Sequence, residues 1–269
     1  MANKVGKRAA IHRVLNLVAS RSTEKDWGAG VAFRSGALRA ARSLPPTVDL
    51  RAAWWKVGDQ GDSGSCVGWA STDGVMRYHL VAAGKLAKTA RLSTRYTWMA
   101  SKETDEDQQR PESFIEESGT SLKAAMDICR KFGVVEETLL PFTISSTMYV
   151  GKIDDFYAAA SQRRAAAYFN LGKDVGGWRK WLASHGPILA GLDVDQSWMD
   201  ASGSKPNLDK FKTETADGGH AICIVGYTRD QRFIVRNSWG EGWGDKGFAY
   251  VSESYIAAGF FDESYGVTV

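Results

Sequence analysis

Residues 60–83 read QGDSGSCVGWASTDGVMRYHLVAA. Glycine, aspartate and serine crowd the first six positions and mark a loop. From Cys66 onward, Trp69, Met76, Leu80 and Ala83 recur near helical spacing, which predicts a helix from Cys66 to about Ala83. Gly68 and Gly74 weaken its intrinsic propensity, so a neighbour is expected to pack close against it. A cysteine at a helix start sits beside unsatisfied N–H groups and the positive end of the helix dipole, which stabilise a thiolate. Cys66 is therefore a candidate nucleophile, although such a cysteine taken alone is more often a packed small hydrophobe.

Further helices are expected at residues 92–102, 121–132, 155–166 and 174–184, the second stopped by Gly133. After Gly186-Pro187 the character changes. ILAGLDV, HAICIVGY, RFIVRNS, GFAYVS and YGVTV are short, rich in β-branched and aromatic residues, and separated by glycine or Asp/Asn signals. A helical first half and a stranded second half predict an α+β fold of two lobes. One lobe is helical, the other an antiparallel sheet or barrel, and the cleft between them is the natural site.

The 269 residues suffice for a full core, and 43% hydrophobic with 24% charged residues is ordinary for a globular protein. No apolar run reaches about 18 residues, so no membrane span is expected. VLNLVA is too short for a signal-peptide core, and three cysteines cannot build a disulfide framework. These features predict a reduced cytoplasmic protein, or one exported without a cleaved signal. Charge is uneven: residues 1–43 carry nine Lys/Arg and two acids, net +7, against −4 for the rest. The break at Leu44-Pro45-Pro46 sets the expected boundary between a basic arm, 1–43, and a body, 44–269. Val14, Leu15, Leu17, Trp27 and Phe33 make the arm too apolar for a plain solvated tail.

Gly218-Gly219-His220 opens the strand AICIVGY, and Asn237-Ser238-Trp239-Gly240 closes the strand RFIVRN. Histidine is the usual base near neutral pH, and an Asn amide oxygen can fix its tautomer. Each of these is weak alone. His220 lies 154 residues after Cys66 and Asn237 lies 171 after it.

Taken together, QGDSGSC (60–66), GGHAICIVGY (218–227), NSWGEGWGDKGF (237–248) and PPTVDLR (45–51) resemble the papain-like cysteine proteases over residues 44–269. The resemblance implies that Cys66 is the nucleophile, His220 the base, Asn237 its orienter and Trp239 a shield over that hydrogen bond. It implies an oxyanion hole built from the Gln60 amide and the Cys66 N–H. It implies substrate backbone contacts at Ser118, Gly119, Thr120 and Gly219, and a specificity pocket near Ala190, Phe260 or Phe261. Ser63 stands where the family has a disulfide cysteine and Val67 where it has an aromatic, which fits a reduced, bacterial-type branch. Cys129 and Cys223 are read as buried thiols.

The expected activity is a cysteine endopeptidase using a Cys-His-Asn triad and a thioester acyl-enzyme. The alternatives are a deamidase, transpeptidase or isopeptidase with the same machinery, or a non-catalytic binding module. No cofactor or metal is expected, since the four histidines lack ligand spacing. The expected partner is a peptide or protein substrate, and only the arm speaks for nucleic acid. The arm occupies the family's pro-segment position. It is expected to dock on its own body near the cleft, against the acidic stretch Glu103–Glu117.

Overall fold

The computed structural model describes residues 12–39, 41–104, 119–143 and 149–269. The predicted helix is continuous but mixed: α-helical over Cys66–Gly68, π-helical over Trp69–Met76, and α-helical over Arg77–Ala82. Every residue from Cys66 to Met76 is buried. Such a rod needs neighbours that come very close. A Cβ on Gly68 would lie 2.4 Å from the Thr94 carbonyl oxygen, so only glycine lets the helix Thr94–Thr104 cross at this point.

The strands are β1 (Val48–Asp49), β2 (Ala167–Asn170), β3 (Ile188–Val194), β4 (Asn207–Leu208), β5 (Gly218–Tyr227), β6 (Phe233–Arg236), β7 (Phe248–Val251) and β8 (Phe260–Thr268). They form one sheet in the order β2-β8-β3-β5-β6-β7-β4, with β1 added to β5. The path does not close into a barrel among the described residues, and the β4–β7 pair is parallel, so the sheet is mixed and open.

β5 is the spine of the sheet, and nine of its ten residues are buried. Strand alternation divides its side chains between two cores. Ala221, Cys223 and Val225 join the core of the central helix, with Cys66, Val75 and Met76. Ile222 and Ile224 join the second core, with Trp178, Trp198 and Phe233. Cys66 and His220 thus arrive at one end of a shared helix–strand contact. This is the two-lobed α+β arrangement expected from the sequence.

Besides the short pieces β1, β4 and Gln196–Met199, three longer elements were not expected. The helix predicted at 155–166 is Ile153–Ser161. The chain then leaves it because Ala165 N–H reaches the Cys129 carbonyl (3.0 Å) and Ala166 N–H reaches that of Thr268 (2.8 Å), which starts β2. A helix Glu253–Gly259 lies between β7 and β8, capped by Ser252, whose side chain accepts from Tyr255 N–H. A short helix, Ala29–Arg34, lies inside the basic arm, and Ala29, Ala32 and Leu38 belong to the second core. Packing of the body therefore begins before Leu44.

Replacing Gly68 with alanine tests the close crossing. Alanine is the better helix former by about 1 kcal/mol, yet overpacking against a backbone carbonyl costs about 1–3 kcal/mol. Urea unfolding of Gly68→Ala should show a net loss of stability; a gain would mean the helices are not pressed together there.

Candidate active site

His220 and Asn237 meet at the ends of β5 and β6. His220 Nε2 lies 2.7 Å from Asn237 Oδ1. That oxygen also accepts the Ser238 backbone N–H at 2.8 Å. An amide oxygen can only accept, so Nε2 carries the imidazole proton and Nδ1 is left as a base. Nδ1 is buried and has no hydrogen-bond partner among the described residues. Trp239 lies against the imidazole, with ring centroids 4.9 Å apart, and Trp198 meets it edge-on at 6.1 Å. Water is thereby kept from the His220–Asn237 bond. Trp198 carries no signal in the sequence. It reaches this place through a four-residue helix, Gln196–Met199, capped by Asp195.

Cys66 begins the central helix, and the backbone N–H of Ala221, the residue after His220, favours its thiolate against the effect of burial. Gln60 is fully buried. Its Oε1 accepts from Ser238 Oγ at 2.7 Å, which assigns the amide orientation, and its Nε2 donates to the Ser63 carbonyl at 2.9 Å. One Nε2–H remains for another acceptor. Ser63 replaces a covalent staple with hydrogen bonds: its hydroxyl donates to the Gln60 carbonyl (2.7 Å) and lies 2.6 Å from Ser65 Oγ. Gln60 N–H in turn donates to the Ser238 carbonyl at 2.8 Å, and Asp59 bridges to Trp239. Cys66, the Gln60 amide and the His220 imidazole are thus drawn onto one site.

The cleft is occupied by the chain's own arm. Arg13 Nη1 donates to Asp59 Oδ1 (2.6 Å) and the Gly61 carbonyl (2.9 Å), and its guanidinium stands 5.3 Å from the Trp239 ring centroid. Leu17 N–H donates to the Gly219 carbonyl at 3.0 Å, and Val18 N–H to the Thr120 carbonyl at 3.4 Å. The glycines here make room for backbone. A Cβ on Gly119 would sit 1.7 Å from the Asn16 carbonyl oxygen, and one on Gly219 2.4 Å from that of Leu17. Leu17 is 5% exposed; its side chain is directed at Gly191, beside Leu122 and Phe261. Of the three residues offered for a specificity pocket, Phe261 is at this spot, whereas Phe260 and Ala190 belong to the second core. Ser118 and most of Glu103–Glu117 lie outside the described residues, as do the side chains of Glu103 and Thr104.

Behind the cleft the arm is anchored. Ser20 N–H donates to Glu263 Oε1 (2.8 Å), and Ser20 Oγ accepts the Lys123 N–H (3.0 Å). Asp26 pairs with Lys123 and accepts from the Tyr265 hydroxyl at 2.9 Å.

Burial sets the protonation of the site. It pushes the Cys66 thiol up to about 11 and pulls His220 down from 6.5 to about 4, with Arg13 adding to the second shift and the Asn237 bond opposing it. Both groups are neutral at pH 7 in this state. Burial also raises Cys129 and Cys223 to about 12, as inert packed thiols require. No group of three His, Cys, Asp or Glu among the described residues is placed to hold a metal ion, and no helix among them is long and apolar enough to cross a membrane.

The family model for papain family cysteine proteases matches residues 44–265. The chain belongs to the papain family of cysteine proteases. This papain-family chain is 28% identical over 155 residues to an uncharacterized peptidase-like protein of Acanthamoeba polyphaga mimivirus, covering 54% of the chain and 50% of that relative. It is 27% identical over 241 residues to a cathepsin B-like protein of Giardia intestinalis, covering 82% and 75%. Among solved structures it superposes on xylellain, a cysteine protease from Xylella fastidiosa, with a TM-score of 0.78 and 20% identity over 98% of this chain and 99% of that one. A procathepsin B from Trypanosoma congolense gives 0.70 at 14% identity, covering 95% and 86%.

All three cysteines are buried. Ellman's reagent at pH 8 should therefore find almost no reactive thiol in the native full-length chain and three after denaturation. Rapid native labelling of one equivalent would show that the arm leaves the cleft open.

Proposed function

We propose that this chain is a cysteine endopeptidase held dormant by its own arm. The observation that carries the reading is the His220–Asn237 pair, which leaves Nδ1 as the base beside the helix that starts at Cys66. With the cleft open, His220 Nδ1 takes the Cys66 proton, and the thiolate attacks the substrate carbonyl carbon. The oxyanion is met by the free Nε2–H of Gln60 and the Cys66 N–H, where one such donor is worth about 3–4 kcal/mol. The C–N bond then breaks as His220 protonates the leaving amine, giving a thioester. Water, deprotonated by His220, hydrolyses the thioester and restores the thiol.

The acyl half of a substrate pairs with Gly119-Thr120 and with the Gly219 carbonyl. Its leaving half then extends past His220 towards Trp239. The arm runs the other way, from Arg13 at Trp239 to Val18 at Thr120. A backbone of inverted polarity fills the same groove but offers no carbonyl to Cys66 in the productive sense. The arm is therefore an inhibitor rather than a first substrate.

Cys66→Ala should abolish hydrolysis with the fold intact. Asn237→Ala should lower kcat by about 10–100-fold, with KM little changed, because it disorders the base and not the substrate. Mass spectrometry of a treated protein distinguishes new termini from the one-unit mass change or conjugate that a deamidase or transpeptidase leaves.

Burying the Leu17 side chain stabilises the docked arm by about 2 kcal/mol. Leu17→Asp removes this and opposes burial, so probe labelling of Cys66 should rise by at least about thirty-fold. Unchanged labelling would remove the arm from control of the site.

A further inference from the structure

Arg236 and Asn237 are consecutive, so strand alternation turns their side chains to opposite faces of the sheet. Asn237 takes the face of His220. Arg236 takes the face of Ile234, against the central helix, and is 2% exposed. There its Nη2 donates to Asp73 Oδ2 at 2.6 Å and to the Lys56 carbonyl at 2.9 Å. Its guanidinium lies 5.0 Å from the Trp55 ring centroid.

One nitrogen therefore reaches from the Asn237 strand both to the helix that starts at Cys66 and to the segment that leads into Gln60. Asp73 is seven residues along the helix that starts at Cys66. Lys56 stands four residues before Gln60. Arg236 is bonded to Asn237 itself. We propose that Arg236 is a positioning residue that fixes Asn237, and through it the His220 imidazole, relative to Cys66 and Gln60, with Asp73 as its anchor. Its effect on rate rests on the peptidase reading above; its effect on the imidazole does not.

Neutralising Asp73 does not require Arg236. The other carboxylate oxygen of Asp73 already receives Arg77 Nη1 at 3.0 Å and Arg91 Nη2 at 3.3 Å. Three guanidiniums surround one buried carboxylate, and several surplus donors go to the carbonyls of Trp54, Lys88, Ala90 and Lys56, while Arg236 Nε has no partner among the described residues. Trp55 Nε1, at 2.7 Å from the Asp73 carbonyl, and Arg77 already join the helix to the segment before Gln60, so what Arg236 adds is the link from the Asn237 strand to both. Such a tie matters because a catalytic constellation must hold to within about 0.5 Å, and a misplacement of about 1 Å can cost about a hundred-fold in rate. The loop side of the site needs it most. The Gln60 loop has no disulfide and meets the Asn237 segment through hydrogen bonds such as Ser238 Oγ to Gln60 Oε1.

The test compares Arg236→Met, Arg236→Gln and Arg236→Lys in the full-length chain and in the Leu17→Asp background. The first readout is the imidazole Nε2–H resonance of His220 in protein labelled with 15N-histidine, which has four histidines to resolve. The second is kcat and KM on a peptide library pool. The third is the melting temperature. Positioning predicts that Arg236→Met shifts or broadens the His220 resonance and lowers kcat ten-fold or more, with KM within two-fold. Arg236→Lys, which keeps a charged donor, should recover most of both. Arg236→Gln, which keeps a neutral donor for the Lys56 carbonyl, should fall between, and it decides the matter if the methionine variant does not fold. A variant that melts earlier but leaves the His220 resonance and kcat unmoved would overturn the proposal, since that is the signature of a merely structural charge. If Leu17→Asp cleaves no peptide while Arg236→Met still moves the resonance, the peptidase reading fails and the positioning stands.

Discussion

A helix buried on every side from Cys66 to Met76 is the constraint to which the rest of the molecule answers. Such a helix cannot be steered by solvent. Its position is set wholly by what packs on it: β5 along one flank, the Thr94–Thr104 helix at the other, and a single buried carboxylate, Asp73, midway along. Its π-helical stretch, a rare form frequently found at functional sites, lies just after the cysteine. The sulfur is thus placed by packing, to the accuracy of a close-packed interior. The price is that the thiol is also desolvated, and in this state its pKa is moved away from the reactive range.

Occupation of the cleft and protonation of the site are therefore one property. A solvated cleft would let a thiolate and an imidazolium form; a filled one favours the neutral pair. Arg13 contributes to both, by filling the groove beside Trp239 and by placing a positive charge near His220. Its ion pair with Asp59 is partly exposed and worth about 0.2–1 kcal/mol. Apolar burial of Leu17 is the larger contribution to docking, and charge serves mainly to steer.

The sequence made some of this legible and hid the rest for physical reasons. The central helix and most β-strands could be read because each depends on residue type at fixed local spacing, whereas Cys66, His220 and Asn237, each weak alone, were joined only through the resemblance of their surrounding motifs to the papain-like proteases. Gly68 announced a close neighbour but not which one. β2 was missed because four residues, AYFN, continue without a break from a helical pattern, and only pairing to β8 makes them a strand. The helix Glu253–Gly259 is seven residues long, too short for periodicity to speak. Trp198, Leu17 and Arg13 act in the site through long-range placement, which no local signal encodes. The charge asymmetry of the arm was visible; among the described residues Arg13 of the arm meets Asp59, and the arm's own Asp26 pairs with Lys123 of the body.

The anchoring of the arm at Ser20 and Asp26 has one more consequence. Ser20 is held two residues after Val18, so the segment that fills the cleft is on a leash one residue long. A short tether converts binding into an intramolecular event at an effective concentration of about millimolar or above. Weak intrinsic contacts then suffice to keep the groove filled, and dilution of the protein does not empty it. Occupancy becomes a property of each single molecule, independent of how many surround it. It responds to a cut within the leash or to loss of its two anchor points.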